Sequence, residues 1–249
     1  EPLLLLDAAN AKRLQWRARN SELDFRHLPA IALRLLQKHA EPHETLIIKP
    51  INSVNNIIPE LLHVAASSRA LLLYTDARNF LLSTLNKGEQ AKQQQRAMFD
   101  LIRCDFAHLS HLGLSDVIQM SDLKVCLTLW RLHIEQAEQT LRNPPLRGLL
   151  RSLQAEQIIR NLDSVLHCVN EFLQLEIAKE MLSSSALGDT KVQDAKNNKR
   201  PFSIEQRESN YHKIEKFYGD DLPNGYEWLI TNNPSTSLLP QLSIPLEIS

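Results

Sequence analysis

Two stretches decide how this chain folds: Thr45-Leu46-Ile47-Ile48-Lys49-Pro50-Ile51-Asn52-Ser53-Val54-Asn55-Asn56, and Ala70-Leu71-Leu72-Leu73-Tyr74-Thr75-Asp76-Ala77-Arg78-Asn79-Phe80-Leu81-Leu82-Ser83. Each reads as a short apolar strand that runs into a polar turn and opens a helix. The expected strands are Thr45 to Lys49 and Ala70 to Tyr74. Neither has a polar face, which is the pattern of strands covered on both sides, as in parallel sheets. A strand, helix, strand, helix order predicts a parallel sheet with helical crossovers, the two strands side by side. The carboxyl ends of such strands are where open α/β sheets hold ligands. Free N–H groups of the helices that follow suit phosphate or sulfate.

Outward from this centre the chain reads as mostly helix. Leu28, Ile31, Ala32, Leu35 and Leu36 share a helical face, with Pro29 in the first turn. Ser53 to Val64 and Arg78 to Leu85 are the helices after the two strands. Gly88 to Arg96 is polar and is expected to be solvated or mobile. Met98, Ile102, Phe106 and Leu109 mark the next helix. The longest helix is expected to start at Asp116, carry Leu123, Leu127, Trp130, Ile134, Ala137 and Leu141 inward, and stop at Asn143-Pro144-Pro145. Leu146 to Leu153 is a candidate third strand, and Ile158 to Leu175 is helical again. Ser183 to Arg200 is polar and basic and reads as an exposed loop. Ser203 and Gln206 then resemble a capping box before a helix to Tyr218. Residues 1–230 are expected to form one α/β domain, and 231–249, with three prolines and many serines, a loosely held tail.

Composition narrows the function classes. The 249 residues are 43% hydrophobic and 23% charged with a formal net charge of −1. This globular balance gives no reason to expect nucleic acid or an anionic membrane as partner. Cys104, Cys126 and Cys168 are scattered and form no CxxC pair, which reads as reduced thiols in the cytoplasm. No apolar run is long enough to span a membrane. Glu1 in place of an initiator Met leads to the expectation that the true N-terminus lies upstream.

The candidate site residues follow from the same two stretches. Lys49 ends the first strand, where it could meet a phosphate or sulfate beside Asn52, Ser53, Asn55 and Asn56. Arg78 lies in the first turn of its helix, against the helix dipole, a placement that an anion would explain. The bland readings are that Ser53 only caps its helix and that Arg78 pairs with a carboxylate. Cys104, His108 and His111 at i, i+4, i+7 imitate a metal site, but packing is the preferred reading and no metal is expected. The basic residues Lys191, Lys196, Lys199 and Arg200 are either solvated or close over an anion.

These residues carry a resemblance. Tyr74-Thr75-Asp76-Ala77-Arg78-Asn79-Phe80-Leu81-Leu82-Ser83 resembles the 3′-phosphate motif of sulfotransferases, and Ile47-Ile48-Lys49-Pro50 the preceding strand. More closely, the chain is similar to bacterial sulfotransferase-like proteins of the P-loop NTPase fold. Lys49 to Asn56, Lys196, and Phe202-Ser203-Ile204-Glu205-Gln206-Arg207 match their Lys-Pro-x-Asn-Ser-x-Asn-Asn, Lys-turn and Phe-x-x-x-Gln-Arg segments. The resemblance implies a helix-rich α/β fold with a parallel sheet. It implies transfer of a sulfuryl group from 3′-phosphoadenosine 5′-phosphosulfate, a small-molecule nucleotide donor, to an unknown hydroxyl or amine acceptor. In that reading Lys49 stabilises the leaving phosphate, and Arg78, Ser83 and Lys196 bind the nucleotide. The chain departs from the family in three places. No Gly-rich phosphate loop occurs in it, Thr75 stands where the motif has Arg, and Ile51 stands where it has the catalytic His. These departures point to the alternative, a non-catalytic derivative used in binding or assembly.

Overall fold

The computed structural model describes residues 2–18, 27–38, 40–41, 44–65, 67–109, 112–182, 193–194, 197–201, 203–234 and 236–248. It is a helix-rich α/β arrangement around a small parallel sheet. Helices α1 (Pro2–Ala18) and α2 (His27–Gln37) come first. A 3₁₀ turn (Asn52–Ile57) leads into α3 (Ile58–Val64), then strand β1 (Ala70–Tyr74), α4 (Ala77–Asn86) and α5 (Glu89–Ile102). Next come α6 (Leu114–Gln119), α7 (Asp122–Leu141), strand β2 (Leu150–Gln154), α8 (Ala155–Arg160) and α9 (Leu162–Leu173). The hairpin β3 (Gln193–Asp194) and β4 (Asn197–Pro201) precedes α10 (Ile204–Tyr218) and α11 (Asp221–Asn232). Strands β1 and β2 pair parallel, Ala70 opposite Leu150 and Tyr74 opposite Gln154.

Thr45–Lys49 is not a strand. It is irregular chain with no ladder partner among the described residues, with Ile47 70% exposed and only Ile48 packed against the cluster of Leu5, Ala8, Ala32 and Val54. Beside β1 stands β2 instead, whose Leu150 and Leu153 are fully buried. An unalternating apolar run of this length has no period to identify it. Whether it pairs is settled by what covers it.

Two other departures have local causes. The polar stretch from Gly88 is the outer face of α5, with Ala91, Phe99 and Ile102 turned inward. Its cations are not merely solvated: the Arg96 guanidinium reaches Asp122 at 2.7 Å and Lys92 reaches Asp122 at 3.5 Å. The expected long helix from Asp116 is two helices. Arg96 donates to the carbonyls of Val117 and Met120, closing α6, and Ser121 then caps α7 by accepting from the Lys124 N–H. Helix α7 is the spine of the core, where Cys126, Leu127 and Trp130 meet α4 and α11 and Val125, Leu129 and Leu132 meet α5. The Ser203 cap holds, its Oγ accepting from the Gln206 N–H, but the Gln206 side chain turns to Asn210, so the reciprocal half of the box is absent.

The final segment is held, not loose. Helix α11 runs to Asn232, and the chain then returns along the outer edge of β2. The Ser152 N–H donates to the Ile244 carbonyl, and the Leu246 N–H donates back to the Ser152 carbonyl. The strap is therefore a third parallel partner, in the order β1, β2, strap. Pro245 sits opposite Ser152, an edge position compatible with its missing N–H. Leu242 and Leu246 are buried, and Ser243 is gripped through its N–H and hydroxyl by the Glu138 carboxylate. Ile244 is held at a φ of 52°, a costly conformation for a β-branched residue that these bonds must sustain. Its prolines and serines suggested a loose tail, but apolar residues at alternate positions, Leu242, Ile244 and Leu246, anchor it, with both leucines buried. Replacing Leu246 by Ala is expected to lower unfolding stability by about 2–4 kcal/mol in urea titration. A tail without a seat would leave the midpoint unchanged.

Candidate functional site

The carboxyl end of β1 brings several sequence-predicted residues together. Thr75, just past the strand, is pinned from two sides: its hydroxyl donates to Glu156 at 2.5 Å, and its carbonyl accepts from the Trp130 indole at 2.9 Å. Asp76 caps α4, one carboxylate oxygen accepting from the Asn79 N–H and the other from the Asn79 side chain. The Ala77 N–H donates to the Leu238 carbonyl of the returning chain. Two of the first N–H groups of α4 are thus already used within the protein.

What remains for an anion is a set of side chains between α4 and α10. Arg78 and Arg207 both lie against the Tyr211 ring, their guanidinium carbons 5.9 and 5.3 Å from its centre. Ser83 hydrogen-bonds the Tyr211 side chain, and Arg207 donates to the side-chain amide oxygen of Asn79 at 3.0 Å. Arg78 and Ser83 therefore share a partner, and Arg207 and Tyr211 complete the cluster. Arg78 is not waiting unpaired. It meets Glu215 at 2.7 Å and Glu208 at 3.7 Å, and the hydrogen bond to Glu215 raises its pKa further. An anion here must compete with these glutamates. Burial pushes the neighbouring Tyr226 hydroxyl up to about 12, so it stays neutral.

The other predicted residues fall elsewhere. Lys49 is exposed on the irregular segment before the Asn-rich turn, and no hydrogen bond or ion pair among the described residues joins it to Arg78 or Ser83. Lys196 lies outside the described residues, as does His111. Cys104 and His108 occupy separate 3₁₀ turns, and no cluster of metal-ligating side chains occurs among the described residues.

The Asn52 to Asn56 turn turns inward. Ser53 is fully buried and Asn56 nearly so, in a network that sequence reading missed. Arg13 of α1, 4% exposed, donates to Asp105 at 2.7 Å and to the Ser53 carbonyl at 2.6 Å. The Asn56 side chain donates to the other Asp105 oxygen and to the Ala9 carbonyl, both at 3.1 Å, while Gln136 reaches Asp105 from α7. Burial raises the Asp105 pKa, and Arg13, Asn56 and Gln136 pull it back part of the way. The Asn-rich turn thus locks α1 to the core. Only the sequence distance between Arg13 and Asp105 hid it. Replacing Asp105 by Ala leaves Arg13 buried without its counter-charge and is expected to cost about 3–5 kcal/mol of unfolding free energy. A loss below 1 kcal/mol by denaturant titration would remove the network from its structural role.

His133, on α7 against Phe80, adds a pH term. Its Nδ1 is sealed from water with no hydrogen-bond partner among the described residues, although part of the residue reaches the surface, and burial lowers its pKa from 6.5 to about 4. The unfolded chain takes up this proton at higher pH than the folded one. Its contribution to stability is therefore complete above pH 6.5 and declines as pH falls toward 4. Replacing His133 by Leu is expected to flatten the stability profile in that window, measured by urea midpoints at each pH. An unchanged slope would place the effect elsewhere.

Comparison of the chain with protein-family models, with curated proteins and with solved structures finds no match. The functional reading rests on the residues and their geometry.

Proposed function

We propose that this chain is a sulfotransferase-like protein that binds a nucleotide phosphate at the carboxyl end of β1. The carrying observation is the convergence of Arg78 and Arg207 on the Tyr211 ring, with Ser83 bonded to the same tyrosine. Two guanidiniums and a hydroxyl beyond the end of a parallel strand offer the charge and donors that a phosphate monoester requires. The helix N–H groups contribute less than the strand-to-helix motif implies, because Asp76 and Leu238 occupy two of them. In this reading the ligand is 3′-phosphoadenosine 5′-phosphosulfate and the reaction is sulfuryl transfer to a hydroxyl or amine. Lys49 and Lys196 would act only if their segments approach the bound nucleotide.

A second reading has its own support. Transfer requires a base to take the acceptor's proton, and Ile51, 55% exposed, stands where the family carries histidine. Thr75 is committed to Glu156, and Arg78 to Glu215. These features favour a non-catalytic derivative that keeps the anion site for binding or assembly.

Calorimetry with 3′-phosphoadenosine 5′-phosphate tests the site. Binding is expected to weaken with added salt. Arg78→Ala is expected to weaken it by about 1.5–3 kcal/mol, the worth of a hydrogen bond to a charged group. Glu215→Gln, which frees Arg78 from its competitor, is expected to tighten it. Undetectable binding at millimolar nucleotide would overturn the proposal. Binding with no sulfuryl transfer to any hydroxyl or amine acceptor would favour the second reading.

A further inference from the structure

The opposite end of the sheet carries a second arginine pair, built differently from the first. Arg69 immediately precedes β1, and Arg151 is the second residue of β2, in register with Leu71. Both guanidiniums lie against one aromatic ring, Phe172 of α9, at 5.6 and 5.1 Å from its centre. Each is held by backbone carbonyls. Arg69 donates through Nη1 to the Phe172 carbonyl at 2.7 Å. Arg151 donates through Nη1 to the carbonyls of Arg147 and Leu150, at 2.7 and 2.8 Å.

Neither arginine has a carboxylate partner among the described residues, in contrast to Arg78 with its two glutamates. A guanidinium has five N–H donors. In both side chains the hydrogen bonds run through Nη1 alone, which leaves the Nε and Nη2 donors of each for another acceptor. Arg147, exposed on the turn before β2, adds a third positive charge nearby. Like charges gathered on one ring repel. The aromatic face and the carbonyls offset part of that cost, and a bound dianion would remove it. The pair is also pre-organised, since the strand backbone, the carbonyls and Phe172 fix where each fork sits. Planar forks with free adjacent donors match the oxygens of a phosphate group.

We propose that Arg69 and Arg151 form an oxyanion clamp for a phosphate group, separate from the Arg78 cluster and independent of the function proposed for it. Phe172 is the platform and Arg147 an outer charge.

The test is an NMR titration of the whole chain with inorganic phosphate, following the arginine Nε–Hε correlations at constant ionic strength. The expected result is a saturable shift of Arg69 and Arg151 that chloride at the same ionic strength does not reproduce. Arg151→Gln is expected to weaken the Arg69 response about tenfold or more, the consequence of losing one charge-assisted contact. Arg151→Lys, which keeps the charge but not the fork, is expected to fall between the two. Arg78→Ala is expected to leave the titration unchanged, which separates this clamp from the proposed nucleotide site. Shifts that grow linearly without saturating, or that chloride reproduces, would overturn the proposal. So would an Arg69 response that is unaffected by Arg151→Gln in a variant whose remaining spectrum matches the parent's.

Discussion

The parallel pairing of β1 with β2 is the constraint on which the rest of the structure depends. Two strands so far apart in sequence can lie parallel only if the chain between them crosses from one end of the sheet to the other. Helices α4 to α7 make that crossing, and α7 becomes the buried spine in doing so. The same pairing fixes both chemical ends of the sheet. Thr75, Arg78 and Ser83 follow the carboxyl end of β1, while Arg69 and Arg151 gather at the amino end. A pair of strands is a small sheet, and it is sustained by what surrounds it: α7 with Leu141, α9 with Val165, and the C-terminal strap. The other edge of β1 has no ladder partner among the described residues, and Leu73 on one of its faces is 56% exposed.

Polar groups divide the structural from the chemical. The Arg13, Asp105, Asn56 and Gln136 network is buried, so its value lies in joining α1, the Asn-rich turn and α7 into one unit. Breaking one partner there costs far more than surface pairs do. The Arg78 and Arg207 cluster is half exposed and shared among glutamates, an asparagine, a serine and a tyrosine. Such a site can exchange partners at small cost, which is what binding an anion requires. The distinction explains why the most Asn-rich motif in the chain is scaffold and why the anion site is proposed at the less conspicuous arginines.

Much of the helical architecture was legible in the sequence. The α4 helix with its Asp76 cap, the α7 stripe ending at Asn143-Pro144-Pro145, and the α10 helix from Ser203 to Tyr218 follow from periodicity and end signals, which are local. The misread elements depend on distant partners. Thr45–Lys49 and Ala70–Tyr74 are nearly identical in pattern, and only the arrival of β2 decides which one pairs. The strap reads as a loosely held tail, from its prolines and serines, because its anchors, Leu242 and Leu246, have seats beside β2 that no local pattern reveals. At the site, Arg78 stands out by its place in the first turn of α4 and Ser83 only through the family resemblance, whereas Arg207, Tyr211 and Glu215 join them through the packing of α10 on α4. The bland expectation for Arg78, a carboxylate partner, is met by Glu215 and Glu208, and the anion reading must now be one of competition.

Residue-resolved amide hydrogen exchange tests the central arrangement most directly, because it separates two strand candidates that look alike in sequence. Slow exchange is expected for the β1 and β2 ladder amides and for Ser152 and Leu246, whose N–H groups join β2 to the strap. Fast exchange is expected for Thr45 to Lys49, which join no ladder among the described residues. Protection at Thr45 to Lys49 equal to that of β1, with Ser152 and Leu246 unprotected, would contradict this arrangement.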